Sequence, residues 1–217
     1  MNHKRGKGLT HTHPWTSRNF MRTILNKKPL FWLLLSIPAL LLLSGYWRGA
    51  IESIDMLHPT GEFSARMMIV AMMLGPLAAV IGNRPWLKWL LARRRAIGVA
   101  AFGYAVLHTI FYVIDMGNLD DIIAEWLAPG IWTAWAAILL FVPIALTSND
   151  AAMRLLRRNW KNVQRLVYAA AVMTLLHWFW VDNDYRAAIV HFAPLILLWI
   201  AVFAKPFFSP KVKSKGI

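Results

Sequence analysis

Seven histidines and no cysteine set the chemistry open to this 217-residue chain. Without cysteine there is no disulfide, no thiolate nucleophile, no iron–sulfur cluster and no thiolate ligand for a metal cofactor. His3, His11 and His13 lie in a polar N-terminal stretch and read as solvated side chains, His58 lies in a loop, and His191 lies near the start of an apolar block. Only His108 and His177 fall well inside apolar blocks. An ionisable side chain placed there is costly and marks a functional site by default. With both blocks as helices running the same way across a bilayer, the two imidazoles lie roughly 18–21 Å from the same face. Two neutral imidazoles at one depth on two helices suit the axial positions of one b-type haem, which needs no covalent C-x-x-C-H attachment. Equal depth serves as well for two histidines that hydrogen-bond between helices, and the residues alone leave both readings open.

The neighbours of these histidines fit a planar cofactor. Phe102, Tyr104, Phe111 and Tyr112 flank His108, and Trp178, Phe179 and Trp180 follow His177. Aromatic residues are plentiful throughout, at 13% of the chain, so ordinary packing explains them too. Arg66, close to the outer end of the second apolar block, is a candidate partner for haem propionates or a snorkelling arginine.

The elements that must position these residues are membrane helices. Hydrophobic residues make up 58% of the chain and charged residues 16%, with a mean hydropathy of +0.47. The apolar residues come in blocks of about 20, the length a span needs. Six blocks predict spans over residues 30–47, 63–82, 96–114, 129–147, 163–181 and 187–204. The basic first 29 residues resemble the n-region of a signal peptide, but no small-residue cleavage site follows, so the first block reads as a retained span. Of the 24 Lys and Arg, 21 fall in the two tails and the 83–95 and 148–162 connections with the adjoining helix entry, whereas nine of the ten acidic residues fall on the other side. That sorting places both termini in the cytoplasm. The net charge of +14 thus reflects topology; a nucleic-acid binder would gather its cations on one polar face. The expectation is an all-α integral membrane protein: a cytoplasmic tail over 1–29, a six-transmembrane-helix bundle over 30–204 that carries the candidate haem-binding site, and a cytoplasmic tail over 205–217. No glycine-rich nucleotide loop, internal repeat or soluble domain is visible, so any flavin or pyridine-nucleotide module must be a separate chain.

Three segments carry a family resemblance. The first is Arg94-Arg95-Ala96-Ile97-Gly98, then Phe102-Gly103-Tyr104-Ala105-Val106-Leu107-His108 and Tyr112. The second is His58-Pro59-Thr60-Gly61, leading to Gly75-Pro76-Leu77-Ala78. The third is Leu146-Thr147-Ser148, then Trp160-Lys161, Arg165-Leu166-Val167-Tyr168 and His177-Trp178. Together, over about residues 55–181, they resemble the ferric-reductase-like transmembrane domain family, and within it the haem-binding membrane subunits of periplasmic methionine sulfoxide reductase systems. The resemblance implies one haem b between spans three and five with His108 and His177 as axial ligands, in a multi-pass protein of the bacterial inner membrane. It implies electrons taken from a cytoplasmic flavin reductase or the quinone pool and delivered to a periplasmic redox partner, in that subfamily a molybdenum-cofactor enzyme that repairs oxidised methionine.

One departure from the family pattern matters. The family motif at the start of span five reads Trp-x-x-Leu-His, whereas here Trp160-Lys161-Asn162 is followed by Val163-Gln164. Gln164 therefore occupies the place of a family histidine, about 20 Å closer to the cytoplasm than His177 by helix rise. Glutamine is a poor iron ligand, and the corresponding depth on span three carries Arg94 or Arg95, which do not deprotonate to bind metal. A second, inner haem is accordingly expected to be absent or weakly held. A quinone or flavin such as FMN, inserted beside Arg95, Gln164 and Arg165, would bridge the gap that remains; alternatively Gln164 is an ordinary polar residue at a helix start. Other functions stay in view: direct transmembrane ferric reduction, or a small transporter or scaffold using His108 and His177 without haem. The latter is disfavoured by the scarcity of other ionisable residues in the spans and by the lack of an inverted repeat. The acidic loop Asp115–Glu125 offers a docking face for a basic partner, although topology alone also produces acidic outer loops.

Overall fold

The structure, a computed structural model, describes residues 28–82, 84–181 and 185–208, and the regular structure among them is entirely helical. The tail histidines His3, His11 and His13, the acidic pair Asp182 and Asp184, and the lysines of residues 209–217 lie outside the described residues. In chain order the helices are α1 (Lys28–Trp47), α2 (Ser53–Ile81), α3 (Pro85–Leu91), α4 (Arg94–Met116), α5 (Leu119–Ala124), α6 (Pro129–Leu146), α7 (Asp150–Leu156), α8 (Arg158–Val181) and α9 (Tyr185–Phe208).

The chain divides between Ile37 and Pro38 into two units. In the first, α1 begins with the apolar run from Pro29, where the Ser36 hydroxyl donates back to the Trp32 carbonyl at 2.9 Å. The second holds the rest of α1 and every later helix.

Among the described residues, five helices are long and apolar enough to cross a membrane: α1 from Pro29, α2, α4, α6, and α9 through Ala204. They coincide with five of the six expected spans. The remaining one, α8, is 24 residues long but not among the five. Arg158, Asn159, Lys161, Asn162, Gln164 and Arg165 make its opening turns polar.

The largest departure from expectation is the start of α2. The predicted span begins at residue 63, but the helix begins at Ser53, so His58 and Glu62 are helical rather than in a loop. Pro59 and Gly61 look like helix breakers in the sequence. Membrane helices tolerate such residues because nearby hydroxyls and neighbouring helices satisfy the disturbed backbone. Here the Thr60 hydroxyl turns back onto the Met56 and Leu57 carbonyls at 2.6 and 3.1 Å. The connections also contain short helices. Asn118 caps α5 by accepting from the Asp121 amide at 2.9 Å, and Asn149 caps α7 through Ala152 at 2.8 Å. Gly117 ends α4 in the left-handed region, at φ 72°, where a side chain would be strained.

Within the second unit, α2 packs most extensively on α4, and α6 on α8, with α9 lying against α2. Small residues allow close approach: Ala65 on α2, Ala101 on α4, Ala170 and Ala171 on α8 and Ala188 on α9 are buried beside Met68, Met72, Phe141 and Phe192. The Ala39 amide, next to Pro38 in α1, donates to the hydroxyl of buried Tyr104 at 3.1 Å. One end of these helices carries Asp55, Asp115, Asp120, Asp121 and Glu125, and the other carries Arg94, Arg95, Arg154, Arg158, Lys161 and Arg165. They are called the acidic and basic ends below.

Candidate functional site

His108 on α4 and His177 on α8 come together. Their ring centroids are 6.0 Å apart, with planes at 74°. Each ring is oriented by the backbone of the helix packed against its own. His108 Nδ1 lies 2.9 Å from the Leu57 carbonyl of α2, and His177 Nδ1 lies 2.7 Å from the Gly130 carbonyl of α6. A carbonyl can only accept, so both Nδ1 atoms carry the proton and both Nε2 atoms keep a lone pair. Neither Nε2 has a hydrogen-bond partner among the described residues. A second nitrogen tied to a carbonyl is the usual support of a metal-bound histidine.

The same local device serves both rings. Buried Thr60 donates to Leu57, and buried Thr133 donates to the Gly130 carbonyl at 3.0 Å and to Pro129 at 2.7 Å. In each case the threonine stands three residues after the carbonyl that receives the imidazole. Glycine is needed at both places. A Cβ at Gly61 would lie 3.1 Å from His108 Nδ1 and Cε1, and one at Gly130 would lie 2.5 Å from Val181 Cγ2. The sequence gives no sign of the carbonyl partners, although glycines inside apolar blocks signal close backbone approach.

The imidazoles open on a cavity of about 500 Å³ between α2, α4, α6 and α8. Gly61, Ser64, Ala65, Ala105, Ala134 and Ala137 keep it wide, and Phe141 and Trp178 supply flat apolar walls. An imidazole nitrogen binds a transition metal at about 2 Å. One metal between two imidazoles therefore needs ring centroids about 6 Å apart, so the spacing, the free lone pairs and the apolar cavity all fit a bis-histidine haem.

Tyr112 also lines this cavity, one turn beyond His108 toward the acidic end, with its ring edge-on to Trp135 at 6.4 Å. Its hydroxyl oxygen is the one buried side-chain nitrogen or oxygen without a partner among the described residues. A buried, unpaired hydroxyl costs about 1–3 kcal/mol.

Two other expected residues go elsewhere. Tyr104 does not line the cavity; it stacks on Phe63 at 5.4 Å and its hydroxyl serves the Ala39 amide. Arg66 also stays off the cavity wall. Its guanidinium bonds Glu62, and its Nε donates to His191 Nε2 at 3.1 Å. With His191 Nδ1 at 2.7 Å from the Ala187 carbonyl, both nitrogens of that ring are engaged. Glu62 stands one turn before Arg66 on α2, whereas the contact with His191 joins residues 125 apart in the chain and was not legible in the sequence.

Arg95, Gln164 and Arg165 are brought together at the basic end, where they line a second cavity of about 540 Å³ with Arg94, Lys161, Trp160 and Tyr168. Arg95 is paired with Asp150 at 2.6 Å. Gln164 Nε2 donates to the Ile144 carbonyl at 3.2 Å and to Thr147 Oγ1 at 3.0 Å, and Trp160 Nε1 donates to the Thr147 carbonyl at 2.9 Å. Together they cap the open carbonyls at the end of α6.

The family described as ferric reductase like transmembrane component matches residues 60–175, which include His108, Gly61 and Gly130 and end two residues before His177. Similar curated proteins carry the name protein-methionine-sulfoxide reductase heme-binding subunit MsrQ. That of Xanthomonas oryzae pv. oryzae is 32% identical over 154 residues, 69% of each chain. That of Azospira oryzae is 34% identical over 161 residues, 71% of this chain and 67% of its own, and that of Brucella ovis is 32% identical over 168 residues, 73% of each. No solved structure gave a significant match. By the extent of the family match and of these relatives, the chain belongs to the ferric reductase-like transmembrane family.

Proposed function

We propose that the chain is a membrane electron-transfer subunit that holds one haem b between His108 and His177 and serves a methionine sulfoxide reductase system. The observation that carries this reading is the arrangement of the two imidazoles: each is fixed through Nδ1 to a backbone carbonyl, and the two unshared Nε2 atoms are left for one metal at a 6.0 Å ring spacing. Each imidazole does bond a neighbouring helix, but through Nδ1 alone; an interhelical role accounts for that contact and gives no use to the two unshared Nε2 lone pairs, which one metal would take up. The names of the relatives, each a haem-binding subunit of a methionine sulfoxide reductase, add support.

A haem in this site supplies reversible one-electron iron chemistry. The surrounding residues tune it through ligation, burial and polar contacts. In this reading α8 is the sixth span, held in the bilayer by its packing on α6, and the basic end faces the cytoplasm by the distribution of arginine and lysine. The chain then lies in the bacterial inner membrane, with the histidine pair nearer the periplasm. At the basic end the cavity beside Arg94, Arg95, Lys161, Gln164 and Arg165 has donors that would hold the oxygens of a quinone or of FMN, and such a ligand would supply the entry point for electrons from the quinone pool or a cytoplasmic flavin reductase. The acceptor is the periplasmic catalytic subunit, docking at the acidic end.

The test is a reduced-minus-oxidised absorbance spectrum of the full chain in detergent, with haem quantified per chain. The expected result is a low-spin b-type spectrum at about one haem per chain, lost in His108→Ala and in His177→Ala. Haem-free protein from haem-replete cells, or a spectrum that survives both substitutions, overturns the reading.

A further inference from the structure

We infer that Tyr112 donates a hydrogen bond to a propionate carboxylate of the haem, and so turns the propionate edge of the macrocycle toward the acidic end. The inference rests on the haem reading above and goes beyond it by fixing the orientation of the group and naming its polar partner. Three observations carry it.

The Tyr112 hydroxyl is buried and has no partner among the described residues, although the other buried hydroxyls have theirs: Thr60, Thr133 and Ser64 all bond backbone carbonyls. Its ring is held against Trp135, and Tyr112 lines the same cavity as His108 and His177. The donor is thus placed in the cavity with no described residue to receive its proton.

The chemistry of the occupant decides the acceptor. The four ring nitrogens of a b-type haem are committed to iron, and its vinyl and methyl groups accept nothing. Its only peripheral hydrogen-bond acceptors are the two propionate carboxylates. A donor that is satisfied by this haem is satisfied by a propionate.

Position decides the orientation. Tyr112 lies four residues beyond His108 on α4, one helical turn or about 6 Å nearer the acidic end. A ring centred at the His108–His177 pair places its edge, not its iron, beside that hydroxyl. The opposite side of the cavity, toward Ala137 and Phe141, offers a carboxylate no free donor, because the hydroxyls of Ser64 and Thr174 donate to the Ala101 and Ala170 carbonyls; Glu62 and Asp115, which also line the cavity, are bonded by Arg66 and Ser53. The arginine that might compete, Arg66, is already bonded to Glu62 and His191.

The experiment compares the haem-loaded full chain with Tyr112→Phe, which keeps the ring and removes only the hydroxyl, and with Tyr104→Phe as a control whose hydroxyl faces α1. The readouts are the haem midpoint potential and the carboxylate bands of the infrared reduced-minus-oxidised difference spectrum. A donor to the propionate offsets its negative charge, so removing it favours ferric iron. Tyr112→Phe is expected to keep the bis-histidine spectrum, shift the propionate bands and move the ferric–ferrous equilibrium toward ferric by up to about tenfold, or about 59 mV for a one-electron couple. Tyr104→Phe leaves both readouts at wild-type values. Wild-type potential and carboxylate bands in haem-loaded Tyr112→Phe overturn the inference while the haem reading stands. A wild-type chain that holds no haem overturns both.

Discussion

The imidazoles of His108 and His177 stand 6.0 Å apart between ring centroids, at 74° to each other, and neither donates to the other. Each spends its one proton on a carbonyl of a neighbouring helix, His108 on Leu57 and His177 on Gly130. The pair is therefore pre-organised: the rings hold their tautomers without help from a ligand, and the lone pairs are presented at a spacing that suits one metal. The consequences concern the residues that hold the rings more than the rings themselves.

Gly61 is the first. A methyl group there meets the His108 ring at 3.1 Å, tighter than ordinary contact, so the imidazole must move by a few tenths of an ångström or α2 must withdraw. Gly61→Ala is expected to yield folded protein with haem occupancy reduced several-fold, measured as haem per chain after purification. Full occupancy with an unchanged spectrum would mean that the ring has slack the packing does not show.

Gly130 acts on packing as well as on orientation. Its absent side chain lets the start of α6 meet the end of α8, where a Cβ would be 2.5 Å from Val181 Cγ2. Val181 is β-branched and short, so either its side chain leaves its preferred rotamer or the helices separate. Gly130→Ala should cost about 1–3 kcal/mol, typical of overpacking, read as a lower thermal midpoint in detergent. Val181→Ala combined with it should recover most of the loss.

Gln164 separates capping from haem ligation. Its amide donates to the Ile144 carbonyl and the Thr147 hydroxyl at the end of α6. Gln164→Ala should lower stability by about 1 kcal/mol and leave the haem content unchanged. Gln164→His restores the imidazole of the family pattern, yet the start of α4 beside the same cavity offers Arg94 and Arg95 rather than a second imidazole. Haem content should therefore stay at one per chain in Gln164→His. A rise toward two would show that a second ligand is within reach.

Arg157 joins α7 to α8 at φ 48° and ψ −114°, a backbone conformation that favours glycine. Arg157→Gly should raise the thermal midpoint, with a gain of about 1 kcal/mol from relieved strain. A drop instead would mean that the arginine side chain contributes more than its backbone costs.

How much of this was legible beforehand differs residue by residue. The long helices could be read from block length and the equal depth of His108 and His177 from about 1.5 Å per residue, but depth alone did not say that the two rings would meet. The start of α2 could not, since Pro59 and Gly61 are breakers in water and their tolerance depends on Thr60 and on the neighbouring helix. Tyr104 and Tyr112 are indistinguishable as aromatic neighbours of His108. Eight residues apart on one helix, they face different elements, and only Tyr112 lines the cavity. Arg66 was sensibly offered to a carboxylate, but the carboxylate it meets belongs to Glu62. The carbonyls of Leu57 and Gly130 had no signature at all, because every residue has one.

That last point bears on how such a site drifts over time. A side-chain partner for an imidazole can be erased by one codon change; a carbonyl cannot. The facing of both rings is inherited from the course of α2 and α6, and substitution reaches it chiefly through the two glycines that let the chains meet. A lineage can therefore replace most of the residues around these histidines, as identities of about a third with the relatives imply, and still hand down the same two tautomers.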